Sequence, residues 1–425
     1  MHGQNGKMPF RGLLGIILSF LATILASSPL AAGEPLDIER AVAAALAHSP
    51  ELASARAELR AREERGSRRV LDLSGELGYL TEAGGRLSLA ATLSPKLGLG
   101  ADYCQGQPLL FWCEYKPFAE KLENASLDFE LALARLALEK LTITTELEAR
   151  RLFLQTLAAI TDRRLAAAEK ALKEKELALL KKRFEAGLLP EQSLLEAEIE
   201  ALQAGHRLFM AEMAERQSRR ALARLTGLEM EEVPLAELPA FAYPGLKDKG
   251  EILAAALSND LSLKEAEMRL EKAVEEVKKG KDKPDFALRL FWDTSGRLGG
   301  SANLAFSFGG SRQETVAKAA GALESARMAV EKARADAEEG VARSLEGLEE
   351  AMARVKLAEK EDELAARSVG VAEARLSRGE IVPLEVEKAR FAWTRAKEEL
   401  RKAQSNAWLA WYVLQSAMRG CAAMH

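Results

Sequence analysis

The sequence has 425 residues, of which 48 % are hydrophobic, 29 % are charged and only 6 % are aromatic, and its net charge is −4. This mildly acidic balance excludes the basic surface that nucleic-acid binding requires, so no nucleic-acid partner is expected. Ala, Leu, Glu, Lys and Arg dominate, which favours long helices and argues against a mainly β protein. Four His and three Cys offer little for a metal site. We therefore expect no cofactor and no enzymatic activity.

The N-terminus predicts an export signal over residues 1–32. Lys7 and Arg11 precede an apolar run of about fourteen residues, and the small residues Ala31 and Ala32 follow it. This is the order of segments in a cleaved signal peptide. The run is short for a membrane-spanning helix, but an uncleaved N-terminal anchor stays open as the alternative.

The rest of the chain contains an internal repeat. Residues 46–52 match residues 257–263 at an offset of 211, whereas residues 183–189 match residues 375–381 at an offset of 192. Because the offset falls by nineteen residues between the two matches, the first repeat carries an insertion. We assign that insertion to the segment that contains the first two cysteines.

The repeat gives the domain organisation. A first repeat occupies residues 33–228 and a second repeat occupies residues 249–420. Residues 229–248 form an irregular, proline-containing linker, and residues 421–425 form a tail.

The insertion contains Cys104 and Cys113. Export to an oxidising compartment would let these two thiols close a small loop, so we expect a disulfide bond between them. Two unpaired thiols are the alternative. Cys421 has no obvious partner in the sequence.

Each repeat opens with a helix and then changes to a period of two. Apolar and polar residues alternate over about residues 70–94 and 285–309, with glycines in the middle of each segment. This pattern predicts one β-hairpin in each repeat and four strands in the chain. Four strands cannot close a barrel alone, so the hairpins either pack on helices or combine with other chains. The strand length suits a bilayer, but a soluble β-domain predicts the same alternation.

A very long helix follows each hairpin. The two helices are predicted over about residues 120–186 and 312–378, on the order of 100 Å each, and return helices follow over about 189–226 and 383–419. Spacings of four and three residues, typical of a coiled-coil seam, connect Val341, Leu345, Leu348, Met352 and Val355.

The order of these elements, together with two motifs, resembles the outer-membrane efflux protein family, the TolC-like exit ducts of Gram-negative bacteria. The opening segment 36–52 is close to the family's L-x-x-A-L-x-x-N-P-x-L start, and Arg183-Phe-Glu-Ala-Gly187 is close to its Y-x-x-G tip. The aromatic position of the tip motif holds Phe184 in the first repeat and Leu376 in the second. The likeness covers nearly the whole chain after the predicted signal.

The resemblance implies a mainly α fold with a small membrane β part. Three chains would form a homotrimer with a 12-stranded β-barrel in the lipid of the outer membrane and a periplasmic α-helical barrel. The implied function is a passive exit duct of a tripartite efflux or secretion system. Its partners would be a periplasmic adaptor (membrane fusion) protein and an inner-membrane transporter. A periplasmic coiled-coil structural or adaptor protein without a membrane barrel is the alternative.

The resemblance also assigns adaptor contact to the turns that end the two long helices. These helical tips comprise Arg183, Phe184, Gly187, Leu188, Leu189, Arg375, Gly379 and Ile381. Exposed apolar residues at a tip need a partner, whereas the charged residues there also suit an ordinary helix C-terminus. Just after the second tip, Glu385 would narrow the duct, and Lys388 carries the opposite charge one turn later.

Overall fold

The computed structural model describes residues 35–67, 72–80, 84–94, 97–104, 107–115, 119–229, 233–242, 249–282, 285–305 and 310–420. The predicted signal peptide, the predicted tail and parts of the predicted linker lie outside the described residues.

Eight helices lie within these described ranges. They are α1 (Ile38–His48), α2 (Pro50–Ser67), α3 (Ala119–Glu185), α4 (Glu191–Thr226), α5 (Lys249–Asn259), α6 (Leu261–Asp282), α7 (Gly310–Ser377) and α8 (Pro383–Met418). The two long helices α3 and α7 have 67 and 68 residues. α3 contains neither Gly nor Pro, so nothing in its sequence interrupts the helix. None of the helices in the described part of the chain is long and apolar enough to cross a membrane.

The strands form one antiparallel sheet in which neighbours in the chain are neighbours in space. The strands are β1 (Asp72–Leu80), β2 (Gly84–Ser94), β3 (Leu97–Cys104), β4 (Leu110–Tyr115), β5 (Asp285–Asp293) and β6 (Leu298–Ala305). Their order in the sheet is β1-β2-β3-β4-β5-β6. The hairpins predicted over 70–94 and 285–309 correspond to β1–β2 and β5–β6.

The predicted count of four strands is wrong, because the described residues contain six. The 12-stranded barrel depended on that count. The additional strands β3 and β4 form a hairpin between β2 and β5, and the segment from Leu97 to Tyr115 has the nineteen residues by which the repeats differ. Leu97, Leu99, Ala101 and Tyr103 alternate with Gly98, Gly100 and Asp102. The glycines and the two cysteines obscured this strand pattern in the sequence.

The predicted disulfide between Cys104 and Cys113 is also wrong, since Cys113 is a free thiol. Cys113 pairs with Leu99 in the β3–β4 ladder, and Cys104 lies five residues further along β3. Five residues of strand span about 17 Å. A disulfide requires Cα atoms within about 7 Å of each other, so this ladder keeps the two cysteines apart.

The chain divides into two compact units that do not coincide with the two sequence repeats. In the described part of the chain, the helical unit comprises the residues within 35–50, 141–260 and 337–420, and the sheet-bearing unit comprises those within 51–140 and 261–336. Each unit takes corresponding segments from both repeats. The repeats are therefore a duplication in sequence and not a pair of sequential domains.

The core of the helical unit contains the predicted coiled-coil seam. Val341, Leu345 and Leu348 are buried and pack with Leu414 of α8 and Ile252 of α5. Burial of each such side chain contributes about 1.5–3 kcal/mol. The seam is therefore confirmed as an interior face of α7.

The linker is joined to the N-terminal segment of the same unit. Leu36 N–H donates to the Pro234 carbonyl at 2.8 Å, and Ala236 N–H donates to the Leu36 carbonyl at 2.9 Å. Leu36 itself is buried with Phe153 and Leu222. This part of the linker is consequently a structural element of the core.

Candidate functional site

Both helical tips have the same backbone geometry. At the first tip, Leu188 N–H donates to the Arg183 carbonyl at 2.9 Å and Gly187 N–H donates to the Phe184 carbonyl at 2.8 Å. These are the two hydrogen bonds of a Schellman motif. The motif requires a left-handed residue, and Gly187 has φ of 73°.

The second tip repeats this arrangement. Glu380 N–H donates to the Arg375 carbonyl at 3.0 Å, Gly379 N–H donates to the Leu376 carbonyl at 2.9 Å, and Gly379 has φ of 74°. No atom lies within 4 Å of where a Cβ would stand on either tip glycine. The glycines are therefore required by the backbone and face open space.

The two tips present different chemistry at equivalent positions. Leu188 is 77 % exposed at the first tip, beside the exposed Phe184. The equivalent residue at the second tip is Glu380, whose carboxylate lies 3.3 Å from the guanidinium groups of both Arg375 and Arg378. The first tip is therefore apolar at its end, and the second is an ion-paired cluster. The remaining predicted tip residues, Leu189 and Ile381, are half-buried.

Polar contacts establish the order of the four tip helices within the helical unit. They join α4 to α3, α3 to α8, and α8 to α7. One contact of each kind is Lys181–Glu198 at 3.2 Å, Lys175–Glu387 at 2.6 Å and Arg390–Glu373 at 2.8 Å. The helices therefore lie in the order α4, α3, α8, α7, with α4 and α7 on the outside.

The residues of the predicted constriction take part in the contact between α3 and α8. Lys388 Nζ lies 3.3 Å from carboxylate oxygens of both Glu385 and Glu176. Burial acts to lower the pKa of Lys388, but its hydrogen bonds to Glu176 and Glu385 outweigh burial and raise that pKa above its ordinary value. Lys388 therefore stays charged and is bound to two carboxylates of its own chain.

Glu176 is the centre of this ion-pair network. Burial acts to raise the pKa of its carboxyl group, but hydrogen bonds from Lys173 and Lys388 outweigh burial and lower that pKa. Lys173 also bonds to Glu200 of α4. The ion-pair network around Glu176 therefore connects α3, α4 and α8.

The two outer helices each carry an exposed apolar row near the tips. The α4 row consists of Leu195, Leu202 and Phe209, and the α7 row consists of Leu357, Leu364 and Val371. All six side chains are more than half exposed. Within each row the residues are seven positions apart, which puts them on one face of their helix.

The two rows lie at the same distances from their tips. Counted from Gly187, the α4 row lies 8, 15 and 22 residues along the chain, and the α7 row lies 8, 15 and 22 residues before Gly379. The ion pair of Lys175 with Glu387 joins positions twelve and eight residues from their respective tips. The tips are consequently level to within about four residues, or about 6 Å.

The sheet of the other unit has one continuous apolar face. Its exposed large side chains in the described residues are Leu89, Tyr103, Tyr115, Leu288, Leu290, Trp292 and Leu298. Ladder pairing puts Phe111 opposite Trp292 and Tyr115 opposite Leu288, while Glu114 and Arg289 pair on the opposite face. Leu298 is 81 % exposed. A soluble protein rarely leaves so many large apolar side chains uncovered.

Solved structures with a similar fold include the outer membrane protein VceC and the outer membrane channel CmeC. VceC of Vibrio cholerae has 19 % sequence identity and a TM-score of 0.65, and the match covers 90 % of this chain and 96 % of VceC. CusC has 13 % identity and a TM-score of 0.66, with 93 % of this chain and 96 % of CusC covered. CmeC of Campylobacter jejuni has 12 % identity and a TM-score of 0.66, with 90 % of this chain and 85 % of CmeC covered.

The chain has the TolC-like channel fold. The predicted mainly α fold with a small β part is thereby confirmed. No protein-family model matches the sequence, and no curated protein matches it. Because the sequence identities are only 12–19 %, the structural likeness establishes the fold alone.

Of the two histidines within the described residues, His48 is packed against a neighbouring segment and His206 is exposed. His48 ends α1, and its ring occupies the space beside Gly227, where a Cβ would come within 2.5 Å of Nδ1. His206 is exposed on α4. Among the described residues, no group of three or more His, Cys, Asp or Glu side chains is arranged to hold a metal ion.

The two apolar rows are a surface feature that was not predicted from the sequence. Their signal was present as leucines, a phenylalanine and a valine at intervals of seven. The predicted seam of α7 ends at Val355, two residues before the α7 row begins at Leu357, and its intervals of three and four indicated only a buried face of that helix. The equal distances of the two rows from Gly187 and Gly379 distinguish these rows from the buried seam.

Proposed function

We propose that three copies of this chain form an outer-membrane exit duct of a tripartite efflux or secretion system. The duct is a passive conduit, with an inner-membrane transporter driving the substrate and a periplasmic adaptor protein joining the two. The fold supports this function, because VceC is an outer membrane protein and CmeC is an outer membrane channel.

The observation that carries the proposal is the pair of matched apolar rows on the outer helices. The α4 row of one copy meets the α7 row of the next, and the two helices run antiparallel at equal distances from the tips. Such a contact joins two different surfaces, and three copies related by a rotation of one third of a turn close into a ring through it. Covering six large exposed side chains at each contact supplies the apolar burial that a stable assembly requires.

The apolar face of the sheet supports the membrane location. In a barrel, lipid-facing and lumen-facing residues alternate along each strand. Along β3, β4 and β5, one set of alternate positions is mostly apolar, and the other set includes Asp102, Glu114 and Arg289. Tyr103, Tyr115 and Trp292 supply the amphipathic rings that suit the membrane interface. The opposite face, with Asp102, Glu114 and Arg289, then lines the water-filled lumen.

The tips are the adaptor contact in this proposal. The first tip offers the apolar end formed by Phe184, Leu188 and the half-buried Leu189, whose exposure calls for a partner. The second tip offers the charged cluster around Arg375 and Gly379, together with Ile381. Just beyond it, Glu385 and Lys388 narrow the duct with both signs of charge and do not form a purely acidic ring.

Fractionation and mass measurement together test the proposal. The full chain is expressed in a Gram-negative host, the membranes are separated on a density gradient, and the extracted protein is measured by native mass spectrometry. We expect the chain in the outer-membrane fraction and a particle of three chains. A soluble periplasmic monomer would contradict the duct and support a coiled-coil structural protein.

A further inference from the structure

The β3–β4 hairpin enlarges the sheet in its middle and not at its edge. β3 pairs with β2 from Leu97 to Cys104, and β4 pairs with β5 from Leu110 to Tyr115. The two strands thus lie between β2 and β5, with β3 paired to β2 from Arg86 to Ser94 and β4 paired to β5 from Leu288 to Asp293. The nineteen-residue insertion therefore widens the sheet by two complete strands.

Side-chain contacts join the two strands of this hairpin to each other and join β4 to β5. The rings of Phe111 on β4 and Trp292 on β5 stack with centroids 5.4 Å apart. On the other face, the Arg289 guanidinium lies 4.2 Å from the centre of the Trp112 ring. Trp112 in turn covers Gly100 so closely that a Cβ there would lie 2.3 Å from the ring. These contacts require the six-stranded arrangement.

The enlarged sheet still presents two edges that can join. β1 and β6 are the edge strands, and each is bonded to one neighbour in the chain. In an antiparallel sheet with an even number of strands, the first and last strands run in opposite directions. β6 of one copy can therefore pair antiparallel with β1 of the next, which removes the unpaired edges that lipid does not tolerate.

Resting on the proposed function, we infer that three copies close a barrel of eighteen strands, six from each copy, with the β3–β4 hairpin in the barrel wall. The contact surface is the β6 edge of one copy against the β1 edge of a second copy of this chain. Because barrel diameter grows roughly linearly with strand number, the barrel is about half as wide again as a 12-stranded one. Its outer opening thus passes bulkier solutes.

Cysteine cross-linking in assembled trimers tests the position of the hairpin. In a background of Cys104→Ser and Cys421→Ser, the native Cys113 is combined with Leu290→Cys, its ladder partner on β5. A second variant combines Cys113→Ser with Ala91→Cys and Leu290→Cys in the same background, and these positions lie on β2 and β5. A third combines Cys113 with Leu298→Cys, two strands away, as the control.

The outcomes separate this inference from the proposed function. We expect mild oxidation to link Cys113 to the substituted position 290 within one chain, with no link in the other two variants, and electron cryomicroscopy to show eighteen strands. Trimers in which positions 91 and 290 link instead, or in which twelve strands are counted, would overturn the inference and leave the duct intact. Absence of outer-membrane trimers would overturn both.

Discussion

The two return helices, α4 and α8, occupy equivalent places in the repeats but carry different chemistry on one face. The α4 row of Leu195, Leu202 and Phe209 corresponds, at the offset of 192, to Glu387, Thr394 and Arg401 of α8. Glu387 forms an ion pair with Lys175 of α3 within the same chain. The face of α8 is thus covered by the chain's own long helix, whereas the face of α4 is exposed.

The difference indicates how a duplicated unit distributes its contacts. Helices of one chain are already held near each other, so exposed ion pairs worth about 0–1 kcal/mol each can fix their alignment. Separate copies lose translational and rotational freedom on association, and only substantial apolar burial offsets that loss. In the proposed assembly, charged pairs therefore align α3 with α8 within one chain, and the apolar rows supply the contact between copies.

Disrupting one apolar row has the largest expected effect, which is a loss of trimers. Leu202→Lys puts a charge at the centre of the proposed apolar contact, where burial destabilises it, and should reduce the trimer fraction at least tenfold in native mass measurements. Leu364→Lys should have an equal effect, because Leu364 is fifteen residues from its tip, as Leu202 is.

A double variant with opposite charges at positions 202 and 364 tests whether the two rows contact each other. Leu202→Lys with Leu364→Glu puts opposite charges at the same distance from the tips and should restore much of the trimer. Gln203→Lys, at the exposed neighbouring position outside the row, is the matched control and should leave trimers unchanged. Equal trimer fractions in wild type and Leu202→Lys would contradict the assembly through these rows.

The sheet contains the two strands that could not be predicted from the sequence. The long helices and the first hairpin were predictable because their periods are clear over many residues, and α3 begins and ends within one residue of the predicted range. The β3–β4 hairpin was not, because Gly98 and Gly100 remove side chains from one face of β3. Those glycines are explained by the tertiary contact with Trp112, which a local pattern does not contain.

The tips, in contrast to the β3–β4 hairpin, could be predicted from the sequence in most respects. Gly187 and Gly379 could be identified from the sequence, since a glycine after a long helix marks its end. The difference between an apolar end at Leu188 and a cluster around Glu380 is also visible in the sequence. What the sequence could not give is the pairing of Glu380 with two arginines, which depends on the fold of the turn.

Tip substitutions have the next largest expected effect, and they compare the two ends directly. Gly187→Trp and Gly379→Trp put a large ring into open space, so the chain should still form trimers, with a backbone cost of about 1 kcal/mol at each site. Because the proposed adaptor contact is apolar at the first tip, Gly187→Trp should reduce export more than tenfold. Gly379→Trp should reduce it less.

Export can be measured in the native cell as the accumulation of a fluorescent dye, with trimers quantified in parallel. Gly321→Trp is a matched control, since Gly321 also has open space around it but lies on α7, far from the tips and from the α7 row. Normal export with normal trimers in both tip variants would contradict adaptor contact at the tips. A loss of trimers in these variants would instead show a structural role for the two glycines.

The smallest expected effect concerns the ion pair that joins the repeats. Glu176 has no ionisable equivalent in the second repeat, where Ser368 stands at the matching position. Its pKa is lowered from the ordinary value of 4.5, so its stabilising contribution is present above pH 4.5 and is lost as the pH falls through the lowered value. Lys388 has a raised pKa, so its contribution is present below its ordinary value of 10.5 and is lost only at higher pH.

Glu176→Gln should therefore lower the stability of the helices at pH 7 by about 1 kcal/mol, measured as a reduced thermal midpoint of trimer dissociation and helix melting. The difference from wild type should stay constant at neutral pH and shrink below pH 4.5, because acid protonates the wild-type carboxylate as well. Glu359→Gln removes an exposed carboxylate from α7 on a face away from the α7 row and serves as the control. If the difference between Glu176→Gln and wild type were the same at pH 3 as at pH 7, the ion pair would not be what joins α3 to α8.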